Sequence, residues 1–239
     1  MNKNLLSAAL SVLVVSAGAQ SIYQADRHHD ASDIHSSMSS DNTQTSQYGA
    51  LRAAPFWTED FSGGVIPATW ANVDQLTPTG TPDVTYMWSD DPNAVAVAAL
   101  GYTPSSVFNA TSASNGYVWC NSDRGLPSAP GFDHETILGT DAIDCSAQGS
   151  VLLSFESLIG TFDYNANTNA LIQVSNDSMN WVDFVPFPCL ETGAAAPPCS
   201  RWSANPQMIE LDISSVAANE PTVYIRWYWL GGWEYFWAI

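Results

Sequence analysis

The sequence predicts an all-β protein, a sandwich of two antiparallel sheets, and three observations carry that prediction. Short apolar runs alternate with polar residues at period two, the periodicity of half-buried strands. Gly, Pro, Asn and Asp cluster between those runs at turn spacing. No amphipathic pattern of ten or more residues at helical period appears anywhere in the 239 residues.

The first segment is set apart from this pattern. Lys3, an apolar run from Leu5 to Val15 and Ala17-Gly18-Ala19 give the charged start, short hydrophobic core and small-x-small site of a secretory signal peptide over residues 1–19. Residues 20–54 are rich in Ser, Asp, Gln, Asn and Thr, and three of the four histidines (His28, His29, His35) fall there. Such a stretch cannot bury enough surface to offset its ordering entropy, so a disordered polar linker is expected. Residues 55–239 form one domain large enough for a real core.

Within that domain Phe56 to Phe61 alternates as a first strand, and Ile66-Pro67 turns into a second near Trp70. Residues 74–94 read as a long loop carrying one short strand, Val84 to Trp88. Val95 to Leu100 is apolar enough for a strand or a short helix. Asn115-Gly116 is a turn signal before the strand Tyr117 to Cys120, and Thr136 to Leu138 reads as a short edge strand. Val151 to Ile159 is the next long strand. Ala170 to Ser175 and Trp181 to Val185 pair across Asn176–Asn180, and Met208 to Ile213 alternates cleanly.

The last stretch, Val223 to Ile239, has eight aromatic residues among seventeen. Val223, Ile225, Trp227 and Trp229 share one face, and Tyr224, Arg226 and Tyr228 the other. Gly231-Gly232 supplies a turn, and Tyr235, Trp237 and Ile239 line the return strand, so a central hairpin is expected. A membrane span does not fit so short a run with Arg226 and Glu234 inside it. The chain stops in mid-strand, which reads as a fragment of a longer protein, and such a fragment is expected to be poorly soluble.

Composition narrows the function classes. Six Lys+Arg stand against 24 Asp+Glu, a net charge of −18, and no lysine remains once Lys3 leaves with the leader. That excludes nucleic acid and anionic lipid as partners, since both need a basic surface. Four cysteines in an exported chain are expected to pair. Cys189 and Cys199 flank a Gly/Ala/Pro-rich insert that a disulfide would close, which leaves Cys120 with Cys145 by elimination.

Several motifs together resemble the secreted jelly-roll modules of Bacteroidetes, the cleaved-adhesin, MAM-like or anchor-associated domains. Glu59-Asp60-Phe61 with Ile66-Pro67-Ala68-Thr69-Trp70 is similar to their opening E-x-F and P-x-x-W segments. Ser114-Asn115-Gly116, Ser122-Asp123, and Thr140 to Ser146 with Val151 to Phe155 follow in order. Val174 to Trp181 is similar to their v-S-x-D-g-x-x-W hairpin, and Tyr235 to Ile239 to the start of their closing strand. The resemblance spans residues 56–239. It implies a jelly-roll sandwich exported by the type IX system. It also implies a calcium ion held by Glu59 or Asp60, which alternate across the first strand, together with Asp123. The closing Asp-Asp pair of the family is absent, so that ligand set is incomplete.

No catalytic residue is assigned. His134, beside Asp133, has no evident nucleophile partner and reads as a surface-loop histidine. Glu156 stands alone on its strand, without the second carboxylate of a glycosidase. Tyr224, Tyr228 and Trp233 are the candidates for an exposed ligand platform, against packing in the core as the alternative. The expected function is a non-catalytic, secreted or cell-surface adhesion module for a glycan or protein, stabilised by calcium. The alternatives are a carbohydrate-active enzyme on the same fold, an accessory domain of a secreted peptidase, or a structural surface-layer component.

Overall fold

The computed structural model describes residues 12–15, 54–76, 84–95, 107–122, 134–161, 169–188, 202–231 and 234–239. The polar linker, Asp123, Cys189, Cys199 and Trp233 therefore lie outside the described residues, apart from Ala54 at the linker's end.

Among the described residues, twelve strands and a four-residue helix build the fold. The strands are β1 (Val12–Val15), β2 (Trp57–Glu59), β3 (Ala71–Asp74), β4 (Tyr86–Ser89), β5 (Tyr117–Asn121) and β6 (His134–Gly139). They continue with β7 (Leu152–Gly160), β8 (Asn169–Ser175), β9 (Val182–Phe184), β10 (Gln207–Asp212), β11 (Tyr224–Gly231) and β12 (Phe236–Ala238), the helix α1 (Ser214–Ala217) lying between β10 and β11. Every pairing is antiparallel. One sheet runs β2-β1-β7-β12-β5-β4, with β10 also on β7; the other runs β3-β6-β11-β8-β9. The protein is thus a β-sandwich of two antiparallel sheets. None of the described helices is long and apolar enough to cross a membrane.

The indoles of β11 fill the space between the sheets. Trp227 stacks on Trp70 at 6.3 Å between ring centroids and meets the Phe155 ring edge-on at 5.5 Å. Trp229 meets Trp237 of the opposite sheet edge-on at 6.2 Å. All three indoles are fully buried, and at about 25 cal/mol per Å² each such ring contributes several kcal/mol.

A second apolar cluster lies on the other face of the seven-stranded sheet. Phe108, Tyr117, Trp119, Leu158, Phe236 and Ala238 belong to it, with Trp202 against them. Trp237 and Ile239 turn to the central core instead, so β12 is buried on both faces and shows no polar alternation. The middle of the seven-stranded sheet is therefore covered on both sides.

Four expectations are corrected. The aromatic hairpin does not form: β11 pairs with β6 and β8, whereas β12 pairs with β5 and β7 in the other sheet. Gly231 thus begins a crossing between sheets, which lets both aromatic strands be interior. β6 is not an edge strand but lies between β3 and β11. Part of the segment read as a leader outside the fold, Val12–Val15, is a strand between β2 and β7; its β-branched run has the propensity for it.

The fourth correction concerns sulfur. No disulfide joins Cys120 to Cys145, and each is a buried thiol. Cys120 Sγ lies 3.9 Å from Thr136 Oγ1, and Thr136 pairs with Trp229. Cys145 instead follows Ile143, which bridges to Val223. Six residues of extended β11 separate those two positions, about 20 Å, far beyond the reach of a disulfide. Burial pushes the Cys145 thiol up to about 11, with the neighbouring Asp144 charge adding to it.

Candidate functional site

Because strand side chains alternate, the indoles that β11 sends inward force Tyr224, Arg226, Tyr228 and Leu230 to the outer side of the five-stranded sheet. Each of these four is half-buried. Directly paired residues point to the same side of a sheet, so the register gives the layout of this outer face. Tyr228 pairs with Ile137 and Leu171, and Ile137 in turn with Val73. Arg226 pairs with Gly139 and Gln173, which continue to Ala71 and Asp183. Tyr224 pairs with Ser175.

Arg226 occupies the centre. It is the one Lys or Arg among the described residues. Its guanidinium lies 3.9 Å from the centroid of the Trp181 ring and 5.9 Å from that of Tyr228, within cation–π range of both. Arg226 Nε donates to Gln173 Oε1 at 2.6 Å, and Gln173 Nε2 donates to Asp183 Oδ1 at 2.7 Å. Burial and the negative charge of Glu135 push the Tyr228 hydroxyl up to about 12. Trp181 is placed by the β8–β9 turn. There Asp177 Oδ1 accepts the backbone N–H groups of Met179 at 2.8 Å and Asn180 at 2.7 Å. Those bonds hold the Asp177 carboxyl well below the usual carboxylate range.

The sequence-predicted residues divide as follows. Tyr224 and Tyr228 share the outer face, as a platform requires, and Trp233 lies outside the described residues. Arg226 was legible in the outward set of β11, but Trp181 and Gln173 reach the face from other strands. Glu59 and Asp60 lie at the end of β2, and each carboxylate turns back on its own chain. Glu59 Oε1 accepts the Phe61 N–H at 2.7 Å, and Asp60 Oδ1 accepts the Ser62 N–H at 3.0 Å and hydroxyl at 2.7 Å. Among the described residues no three His, Cys, Asp or Glu side chains gather into a metal-ligating group.

His134 is a correction of a different kind. It is not a surface-loop histidine but the first residue of β6, 1 % exposed. Its ring meets Trp229 edge-on at 4.9 Å. Glu156 also has partners: its carboxylate accepts the Thr111 N–H at 2.7 Å and hydroxyl at 2.9 Å.

No protein-family model matches this chain, and no curated protein matches it. Among solved structures, it is similar to the K1 cleaved adhesin domain of Lys-gingipain from Porphyromonas gingivalis W83, at 17% identity over 74% of this chain and 90% of that one, with a TM-score of 0.36.

Proposed function

We propose that the protein is an exported, non-catalytic binding module that holds an extracellular ligand, a glycan or a protein, on the outer face of its five-stranded sheet. The observation that carries this reading is the placement of Tyr224 and Tyr228, half-exposed, on either side of Arg226. The inward indoles already fill the core, so the outward rings are available for contact. Aromatic rings present large rigid area at low entropic cost, the composition of binding hot spots. A calcium ion held by Glu59 or Asp60 together with Asp123 is a further part of this proposal, acting on loop conformation rather than on chemistry.

The test is binding of the full chain to immobilised glycans and host-surface proteins, repeated with Tyr224→Ala and Tyr228→Ala. Each substitution is expected to weaken binding about tenfold while the melting temperature changes by no more than a few degrees. Binding that neither substitution alters would sink the reading.

A further inference from the structure

We propose that the ligand of this face is an acidic saccharide of low charge density, whose carboxylate is taken by the Nη groups of Arg226 while its sugar faces rest on Tyr224 and Tyr228; this rests on the reading of the outer face as the binding surface.

The first argument is the state of Arg226 itself. In a chain of net charge −18, the one Lys or Arg among the described residues is not spent on an ion pair. Its contacts there are to one amide and two rings, with no carboxylate bonded to it. Of the two carboxylates whose charge reaches it, Asp183 is hydrogen-bonded to the Gln173 amide and Glu135 acts on the Tyr228 hydroxyl. Burial has also removed part of the water around the guanidinium, which lowers its proton affinity. Tyr228, Glu135 and Asp183 nearby oppose that shift, and a carboxylate bonded directly to the guanidinium would offset the remaining cost of desolvation.

The second argument is preorganisation. Asp183 fixes which end of the Gln173 amide faces Arg226, because only the NH₂ end can donate to a carboxylate. The Gln173 oxygen then takes the Nε–H of Arg226, and the Trp181 ring supports the guanidinium plane. Nε is consumed and the plane is held, so the Nη donors keep a fixed direction. A fixed guanidinium fork suits a planar carboxylate far better than a mobile ammonium does.

The third argument is shape. Tyr224 and Tyr228 lie two residues to either side of Arg226, about 7 Å away along the strand in each direction. That spacing suits ring-shaped units flanking a charged one.

Charge density completes the choice. A polyanion would be repelled by the acidic surface at long range, and Glu135 and Asp183, whose charges already act on Arg226, add to that locally, so only a carboxylate bonded directly to the guanidinium is held. The match is therefore to a saccharide with an isolated uronate, not to a sulfated chain or nucleic acid.

The experiment compares a glucuronate-containing oligosaccharide with its glucose-containing counterpart by calorimetric titration of the full chain. The acidic form is expected to bind about tenfold more tightly or better, and Arg226→Met to abolish that preference while weak neutral binding survives. Equal affinity for the two forms overturns the acidic assignment and leaves the binding-module reading standing. Failure of both forms and of every arrayed glycan, with a protein captured through Tyr228 instead, overturns the saccharide. If Arg226→Met does not fold, Arg226→Lys keeps the charge but not the fork. A preference unchanged in that variant overturns the assigned geometry, and one reduced severalfold supports it.

Discussion

Ser122 Oγ lies 2.9 Å from Nε2 of His134, and both residues are buried. The other ring nitrogen, Nδ1, lies 3.0 Å from Thr136 Oγ1, and the Glu234 N–H donates to Ser122 Oγ at 3.0 Å. The imidazole thus bridges β6 to the segment that leads into β12. Desolvation by burial pulls it down to about 4, against smaller opposing effects of Asp74 and a backbone bond to Trp229.

That shift has a definite sign. The unfolded chain takes up this proton near pH 6.5 and the folded one only near 4, so between those values the unfolded state binds more protons. The stabilising contribution is complete above about pH 6.5 and falls as the pH drops toward 4, by on the order of 3 kcal/mol. Urea midpoints at pH 7 and pH 4.5 for the native chain and for His134→Gln measure it. The gap between the two proteins is expected to shrink at the lower pH. A gap independent of pH contradicts the assignment.

Gly116 has a φ of +147°, and a Cβ there would sit 2.4 Å from the backbone oxygen of Phe61. The same oxygen accepts the Trp88 indole N–H at 2.7 Å, so it has little room to withdraw. Gly116→Ala should cost about 2–4 kcal/mol. Gly63→Ala, where nothing lies within 4 Å of the added atom, is the control. Comparable losses at both sites would refute the close-approach argument.

Trp229 and Trp237 are equally buried, but their indole nitrogens differ. Trp237 Nε1 donates to Ser157 Oγ at 2.9 Å, while Trp229 Nε1 has no hydrogen-bond partner. Truncating either ring to Phe leaves a similar cavity. Trp237→Phe also loses a hydrogen bond, whereas Trp229→Phe removes a donor that was desolvated without return. Trp237→Phe should therefore be the more damaging, by about 2 kcal/mol. Chemical denaturation of both variants decides it, and the reverse order would show the unpaired N–H to be harmless.

Calcium tests the carboxylate proposal at β2. Thermal melting of the full chain with millimolar calcium should exceed that in EDTA by several degrees, and Glu59→Gln should remove the difference. Equal melting temperatures would return Glu59 and Asp60 to the role they play within the chain, capping the turn after β2.

The sequence exposes some of this structure and conceals the rest for physical reasons. Period-two alternation in Tyr224 to Leu230 gave both the strand and its outward face. It could not give the partner, because alternation reports which side a residue faces and not which strand lies beside it. Hence the hairpin expected for β11 and β12 became two strands of opposite sheets. His134 was misread because Asp133 and Glu135 flank it, yet in a strand neighbours point away from one another. Arg226 was visible, but its Trp181 support and Gln173 acceptor meet it only through the β8–β11 and β8–β9 registers. Pairing Cys120 with Cys145 by elimination assumed proximity that the β11 spacing denies.

The placement of β11 and β12 also fixes when the protein can fold. β11 lies between β6 and β8, and β12 between β7 and β5, so each sheet has an internal gap until residues 224–238 have been made. A ribosome delivers them after every strand they must separate. Most of the pairings therefore span long stretches of sequence, and closing them is slow. Until β11 and β12 have been made, the pairs β3–β6, β4–β5 and β8–β9 have all their residues, but neither sheet can be joined across its middle.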